Sequence, residues 1–219
     1  FLPKEGQARG VQIDVEPRNL SLRYPMEVAL AGDSAETLAA LLPMLDDRDT
    51  ESWRGDVERW VRDGRALTER QAHAPADPIN PLRVIWELDQ RIPDNAILTG
   101  DSGTSAYWLG RDIRLRRGMK ASVSGSLATM GCSVPYALAA KLAFPERPVI
   151  ALVGDGAMQM SGLSALIDVS KRWKLARTCG APWRDRRFIV LVLNNRDLSY
   201  VTWEQRVMEG DPRYAATQS

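Results

Sequence analysis

The chain of 219 residues carries 29 Lys and Arg against 28 Asp and Glu, a formal net charge of +1, with 44% hydrophobic and 26% charged residues. That composition allows one large domain or two small ones, argues against wholesale disorder, and gives no electrostatic pull toward nucleic acid or an anionic membrane. A single histidine, His73, and two cysteines, Cys132 and Cys179, make no disulfide framework and leave His-based triads and zinc sites without their usual ligands.

The opening FLPKEG has no initiator Met and no signal-peptide layout, so the chain is expected to be a piece of a longer cytoplasmic protein. Residues 10–15 (GVQIDV) read as a strand ended by Glu16-Pro17, and 27–31 as a second apolar stretch. A helix over 35–45 follows, with Asp33 or Ser34 as its N-cap. Two strands and one helix cannot close a core, so residues 1–45 are expected to be the C-terminal end of a larger α/β domain. In the charged segment 46–72, Trp53, Val57, Trp60 and Val61 recur at helical spacing, the mark of an amphipathic surface helix. Prolines 75, 78 and 81 make 75–81 a linker, with His73 a solvated residue beside it; residues 46–81 thus separate two domains.

From Asn80 the pattern becomes regular. Asn80 caps a helix with Pro81 at its first position. Then come strand 96–99, an Arg-rich segment 111–117, a Gly-punctuated stretch 118–131, a small-residue helix 134–143, strand 149–153, helix 162–173 and strand 188–193. Short apolar strands alternating with helices predict an α/β fold, a parallel sheet with helices on both faces. Even the run FIVLVL at 188–193 is far shorter than the roughly 20 residues that span a bilayer.

Three of these strands end in polar turns: GDSGTS at 100–105, GDG at 154–156 and NNRD at 194–197. Ligands of open α/β sheets bind outside the carboxyl ends of the strands. Asp155 offers a carboxylate and Asn195 an amide oxygen, hard donors suited to Mg²⁺ or Ca²⁺. Gly154 and Gly156 let backbone approach closely, and amides opening the next helix can hold phosphate oxygens; Gly103, Thr104 and Ser105 add further amides and hydroxyls. A cation and a phosphate held together make a diphosphate site. GDG alone is common in ordinary turns; GDG after one apolar strand and NN after a later one is far more specific. Met130 by itself reads as a gap-filling core residue, Cys132 as a small buried one, Asn194 as a turn support, and Arg111, Arg114, Arg116 and Arg117 as a solvated face. No GxGxxG or Walker Lys follows a strand.

The segments GDGAMQM at 154–160, VLNNRDLSYVTWEQ at 192–205 and SGSLATMGCSVPYALAAKLAFPERPVIALV before them resemble the motif of thiamine-diphosphate (ThDP) enzymes. They are similar to the diphosphate-binding domain of the pyruvate oxidase, acetolactate synthase and benzoylformate decarboxylase group, pyruvate-oxidase-like members above all. On that resemblance residues 1–45 are the end of a central domain, and 82–219 most of the C-terminal ThDP-binding domain. It implies Mg²⁺ held by Asp155, the Asn195 side chain and the backbone carbonyl of Asp197. It places Gly154, Gly156 and Ala157 at the diphosphate, Gly103 and Thr104 over it, and Met130 under the cofactor, bending its two rings into a V. The implied activity is decarboxylation of a pyruvate-like 2-oxo acid through a thiazolium-bound carbanion, as an oxidase, carboligase or simple decarboxylase, with FAD open as a further cofactor. It also implies a homodimer or homotetramer in which the N-terminal pyrimidine-binding domain of a neighbouring subunit supplies an activating glutamate. This chain alone, lacking that domain, is then expected to be an inactive half-site.

Two features depart from the pattern. The interval 157–193 between GDG and NN is longer than usual, which is expected to mark an insertion around 175–187; the second departure is the expected lack of the domain with the activating glutamate, together with the tail beyond Ser219 that often covers the site. A non-catalytic metal–diphosphate or assembly module that retains the motif is the alternative.

Overall fold

The computed structural model describes residues 2–46, 48–178 and 183–210, without the side chains of 175–178 and 209. It forms two compact units, Phe1–Trp60 and Val61–Ser219, which divide within one helix.

In the first unit, β1 (Val11–Asp14) pairs in parallel with β2 (Val28–Ala31), Val11 opposite Val28. Asp33 caps α1 (Ser34–Leu41), its carboxylate accepting the amides of Ala35 and Glu36 at 2.8 and 3.1 Å. Apolar residues here stay exposed, Val28, Leu30, Leu38 and Leu41 among them. The helix α2 (Glu51–Ala72) is continuous across the charged segment, and its stripe of Trp53, Trp60 and Val61 remains exposed.

The second unit is built on a four-stranded parallel sheet. Its strands are β3 (Ile97–Gly100), β4 (Lys120–Ser122), β5 (Val149–Gly154) and β6 (Phe188–Leu193), in the order β4-β3-β5-β6. The strand alternation divides the core in two. Leu98, Ile150 and Leu152 pack on Ile85 of α3 (Pro81–Asp89) and Leu109 of α4 (Thr104–Asp112). Ile97, Val149, Ala151 and Val153 face the other way, onto Val134 and Ala137 of α5 (Ser133–Ala143) and Ala165 of α7 (Leu163–Thr178). Helices therefore cover both faces. The central β5 is buried along its apolar length, while β6, at the edge, leaves Ile189 and Val192 exposed despite an equally apolar sequence.

The start of α3 follows its local signals: the Asn80 side chain accepts the amide of Leu82 at 3.0 Å, with Pro81 at the first helical position. The helix expected over 162–173 instead begins at the turn itself, as α6 (Asp155–Ala157) running through a π-helical turn (Met158–Gly162) into α7. Residues 175–178 of the expected insertion continue α7, and 179–182, with Cys179, lie outside the described residues. The short edge strand β4, α4 and the closing helix α8 (Ser199–Glu209) have no counterpart in the sequence-based elements. No helix among the described residues is long and apolar enough to cross a membrane.

The arginine segment is not simply a solvated face. The Arg114 Nε donates to the buried Asp89 carboxylate at 2.5 Å, and Arg116 bridges Asp89 and Asp94. A run of like charges looked solvated because its partners lie more than 20 residues away in sequence.

Candidate functional site

Because the sheet is parallel and β3 and β6 flank β5, the three polar turns emerge at one edge. They enclose a cavity of about 190 Å³. Gly103 and Thr104 line it from the end of β3; Gly154, Asp155, Gly156 and Ala157 from β5; Asn195, Asp197 and Tyr200 from β6 and α8. Met130 and Ala128 line it from the loop before α5. The nine residues that the family resemblance assigns to the site, and Ser105 with them, therefore border the same space.

The geometry of each turn follows from its residues. Gly103 adopts φ 86°, ψ −147° as it opens α4, a conformation that costs a side-chain-bearing residue strain. At Gly156 an added Cβ would meet the Leu198 side chain at Cδ2, so a larger residue at the start of α6 requires that leucine to shift. Asp155 is buried, and its Oδ1 accepts the Gly156 amide at 3.0 Å. Asn195 donates through Nδ2 to Ser199 Oγ at 3.1 Å, and its Oδ1 accepts the Asp197 amide at 3.3 Å. The Asp197 side chain accepts the Thr202 hydroxyl at 2.7 Å; the family resemblance assigns the metal contact to its backbone carbonyl instead.

The Ser105 hydroxyl is already committed. It donates toward the carbonyls of Asp101 and Ser102 at 3.0 and 3.3 Å, and the residue is buried. Ser105 borders the cavity as well, but its hydroxyl is turned to the backbone and braces the turn. Cys132 is buried as expected, its thiol directed at the Gly100 carbonyl at 3.7 Å. Burial, and secondly the nearby Asp101 carboxylate, push that thiol up from its ordinary range, so it stays protonated.

Sequence reasoning missed Asp101. Within GDSGTS it looked like one more turn residue, yet it is fully buried and its carboxylate accepts three backbone amides, from Ser102, Gly131 and Ser133. The last two lie 30 and 32 residues away, and no local pattern announces them.

Chemically, the arrangement offers an all-oxygen donor set of one carboxylate, one amide and one carbonyl, beside helix-opening amides. Such donors suit a hard divalent cation that completes its shell with phosphate oxygens. Among the described residues no group of three or more His, Cys, Asp or Glu could hold a metal. A cation here would thus depend on the mixed donors and on its ligand. The single histidine lies far along the chain from these turns: His73 is exposed, its Nδ1 at 2.8 Å from the Glu69 carbonyl.

Residues 101–219 match the family model described as thiamine pyrophosphate enzyme, C-terminal TPP binding domain. The chain is 30% identical over 207 residues to YdaP of Bacillus subtilis, named as a thiamine pyrophosphate-containing protein; the match covers 94% of this chain and 33% of that one. It is 30% identical to the pyruvate oxidase of Lactiplantibacillus plantarum over 69% of its own length and 25% of the relative's. It is 28% identical to the acetolactate synthase large subunit of Corynebacterium glutamicum over 96% of its own length and 32% of the relative's. The chain thus spans between a quarter and a third of the curated relatives it matches.

Proposed function

This chain belongs to the thiamine pyrophosphate enzymes through their C-terminal TPP binding domain, and we propose that it holds the diphosphate of ThDP through Mg²⁺ for an enzyme that decarboxylates a pyruvate-like 2-oxo acid. One observation carries the reading: Asp155, Asn195 and Asp197, from neighbouring strand ends, border one cavity together with the glycine-rich start of α6.

In this proposal Asp155, the Asn195 side chain and the Asp197 carbonyl hold Mg²⁺. The amides of Gly156 and Ala157 meet phosphate oxygens, with Gly154 keeping the approach open and Gly103 and Thr104 closing the other side. Met130 supports the cofactor from below and sets its bend. The chemistry supplied by the bound cofactor is an electron sink for decarboxylation. Residues 82–219 form the cofactor domain, 46–81 a charged helix and linker, and 1–45 the end of a preceding α/β domain. A glutamate from the N-terminal pyrimidine-binding domain of a neighbouring subunit completes the site in a cytoplasmic homodimer or homotetramer. The similarity to a pyruvate oxidase and to acetolactate synthase large subunits supports this class and leaves the acceptor to be decided.

Calorimetric titration of ThDP tests the assignment. Binding is expected with Mg²⁺, and is expected to vanish with chelator and in Asp155→Ala; equal affinity in chelator overturns the metal role. Pyruvate turnover by the full-length enzyme, with and without an artificial electron acceptor, separates oxidase from carboligase or decarboxylase. Binding without turnover would favour a non-catalytic module. Flavin absorbance of the same preparation decides whether FAD accompanies ThDP.

A further inference from the structure

The two residues beside Met130 are held on both sides by side chains from elsewhere in the fold. On one side the Thr129 carbonyl accepts the Ser102 hydroxyl at 3.0 Å, and the Thr129 amide donates to Ser124 Oγ at 3.0 Å. On the other, the Gly131 amide donates to Asp101 Oδ1 at 2.7 Å, and the Gly131 carbonyl accepts the Ser161 hydroxyl at 2.6 Å. Gly131 takes φ 86°, and a Cβ there would stand 2.1 Å from Ser161 Oγ, so the clamp closes only around glycine.

Asp101 is the centre of this arrangement. Its Oδ2 accepts the amide of Ser133, the first residue of α5, at 2.9 Å; the helix's own N-cap, Cys132, makes no side-chain cap. A fully buried carboxylate loses several kcal/mol of hydration. Three amide donors and the positive end of α5 offset that loss, and they come from the cavity-lining turn after β3 and from the segment that follows the cavity-lining Met130. Asp101 follows β3 immediately, directly before the cavity-lining residues Ser102, Gly103 and Thr104, and its other grip is on the residue after Met130.

We propose that Asp101 is the positioning residue of the site: it fixes Met130 relative to the β3 turn, and through Met130 sets the bend of the bound cofactor. This rests on the reading of Met130 given above. Asp101 touches neither cofactor nor substrate in this role. Ser102 and Ser161 are its auxiliaries, each holding a carbonyl on one side of Met130. An amide at position 101 could not reproduce the clamp, because one of its two polar atoms donates and would face a backbone N–H.

The test is made on the full-length holoenzyme with Met130→Ala, Asp101→Asn, the double variant and Ser161→Ala. Two quantities are read: ThDP affinity by calorimetry, and the rate at which the thiazolium C2 proton of bound ThDP exchanges with deuterium, by NMR after acid quench. Asp101→Asn is expected to slow exchange about tenfold or more with affinity within about threefold, the signature of misplacement without loss of binding. The double variant is expected to be no slower than Met130→Ala. Should Asp101→Asn fail to fold, Ser161→Ala is expected to show the same split at smaller amplitude. Unchanged exchange in whichever of the two folds, affinity and exchange falling by the same factor, or additive losses in the double variant would overturn the proposal. Slow exchange in Met130→Ala beside normal exchange in Asp101→Asn removes only Asp101. Normal exchange in Met130→Ala removes the Met130 reading and, with it, this inference.

Discussion

Asp155 Oδ2 accepts a hydrogen bond from the backbone amide of Arg196 at 2.7 Å, tying the turn after β5 to the turn after β6 across 41 residues of sequence. The amide points there because Arg196 adopts φ 58°, the left-handed region that ordinary L-residues avoid at a cost of about 1 kcal/mol. The strain sits between Asn195 and Asp197, two of the proposed cation donors.

Arg196 can therefore be dissected with two substitutions. Arg196→Gly keeps the N–H and removes the strain; the added freedom of the unfolded chain offsets that gain, so stability is expected to change by less than about 1 kcal/mol. ThDP affinity should be retained. Arg196→Pro removes the N–H and forces φ to about −65°, and is expected to weaken ThDP by about tenfold or more, the value of a hydrogen bond to a charged acceptor. Calorimetry on both variants checks this, and normal binding in the proline variant would refute the bridge's importance.

Gly156 and Leu198 should be coupled. Gly156→Ala is expected to cost about 1 to 3 kcal/mol through overpacking against Leu198 Cδ2. Leu198→Ala opens the space, so a double-mutant cycle by urea unfolding should return a favourable coupling of about 1 kcal/mol. Additive losses would mean that the clash is relieved elsewhere.

Thr104 and Ser105 are adjacent hydroxyls with opposite expected behaviour. Both border the cavity; Thr104→Ala is expected to lower ThDP affinity with little effect on unfolding. Ser105 is spent on two backbone carbonyls; Ser105→Ala is expected to cost about 1 kcal/mol of stability and leave affinity unchanged. Paired calorimetry and urea titrations distinguish the two, and an affinity loss in Ser105→Ala would contradict its bracing role.

Asp112 makes a pH-dependent contribution. Its side chain is buried at the end of α4, and Oδ2 has no hydrogen-bond partner among the described residues. Burial pushes its pKa above the usual carboxylate range, with Arg111 at 3.6 Å opposing the shift. The folded state thus holds this proton more tightly than the unfolded chain. The stability from that proton is complete below the unfolded pKa and is lost as pH rises through the raised folded value. At pH 7, Asp112→Asn removes a charge that burial disfavours and should be more stable than the parent. The advantage should shrink as pH falls into the carboxylate range, a dependence that urea midpoints at several pH values would follow.

Much of the second unit could be read locally. The runs at 149–153 and 188–193 are apolar and bounded by polar turns, and they form β5 and β6; Asn80-Pro81 opens α3 as its capping chemistry requires. Gly103, Gly154, Asp155, Gly156 and Asn195 were recognisable because Gly, Asp and Asn in turns carry their chemistry in their own side chains and dihedral freedom; Met130, Ala157 and Asp197 came only with the family resemblance. Lys120–Ser122 was not recognisable as β4: three exposed residues carry no alternation, and only pairing with Ile97–Thr99 makes them a strand. The arginines at 114 and 116 looked solvated for the same reason, since Asp89 and Asp94 reach them only through the fold.

By itself, then, the sequence determined the apolar strands, the capped helix starts, the polar turns and the family, because helix capping, strand apolarity and turn conformation depend on neighbours a few residues apart. The tertiary structure alone decided that β5 lies between β3 and β6. That order brings Asp155 to Arg196 and Asp101 to Gly131, contacts spanning 41 and 30 residues. A buried carboxylate finds its amide donors only after the strands that carry them have been placed side by side, and no local pattern encodes that placement.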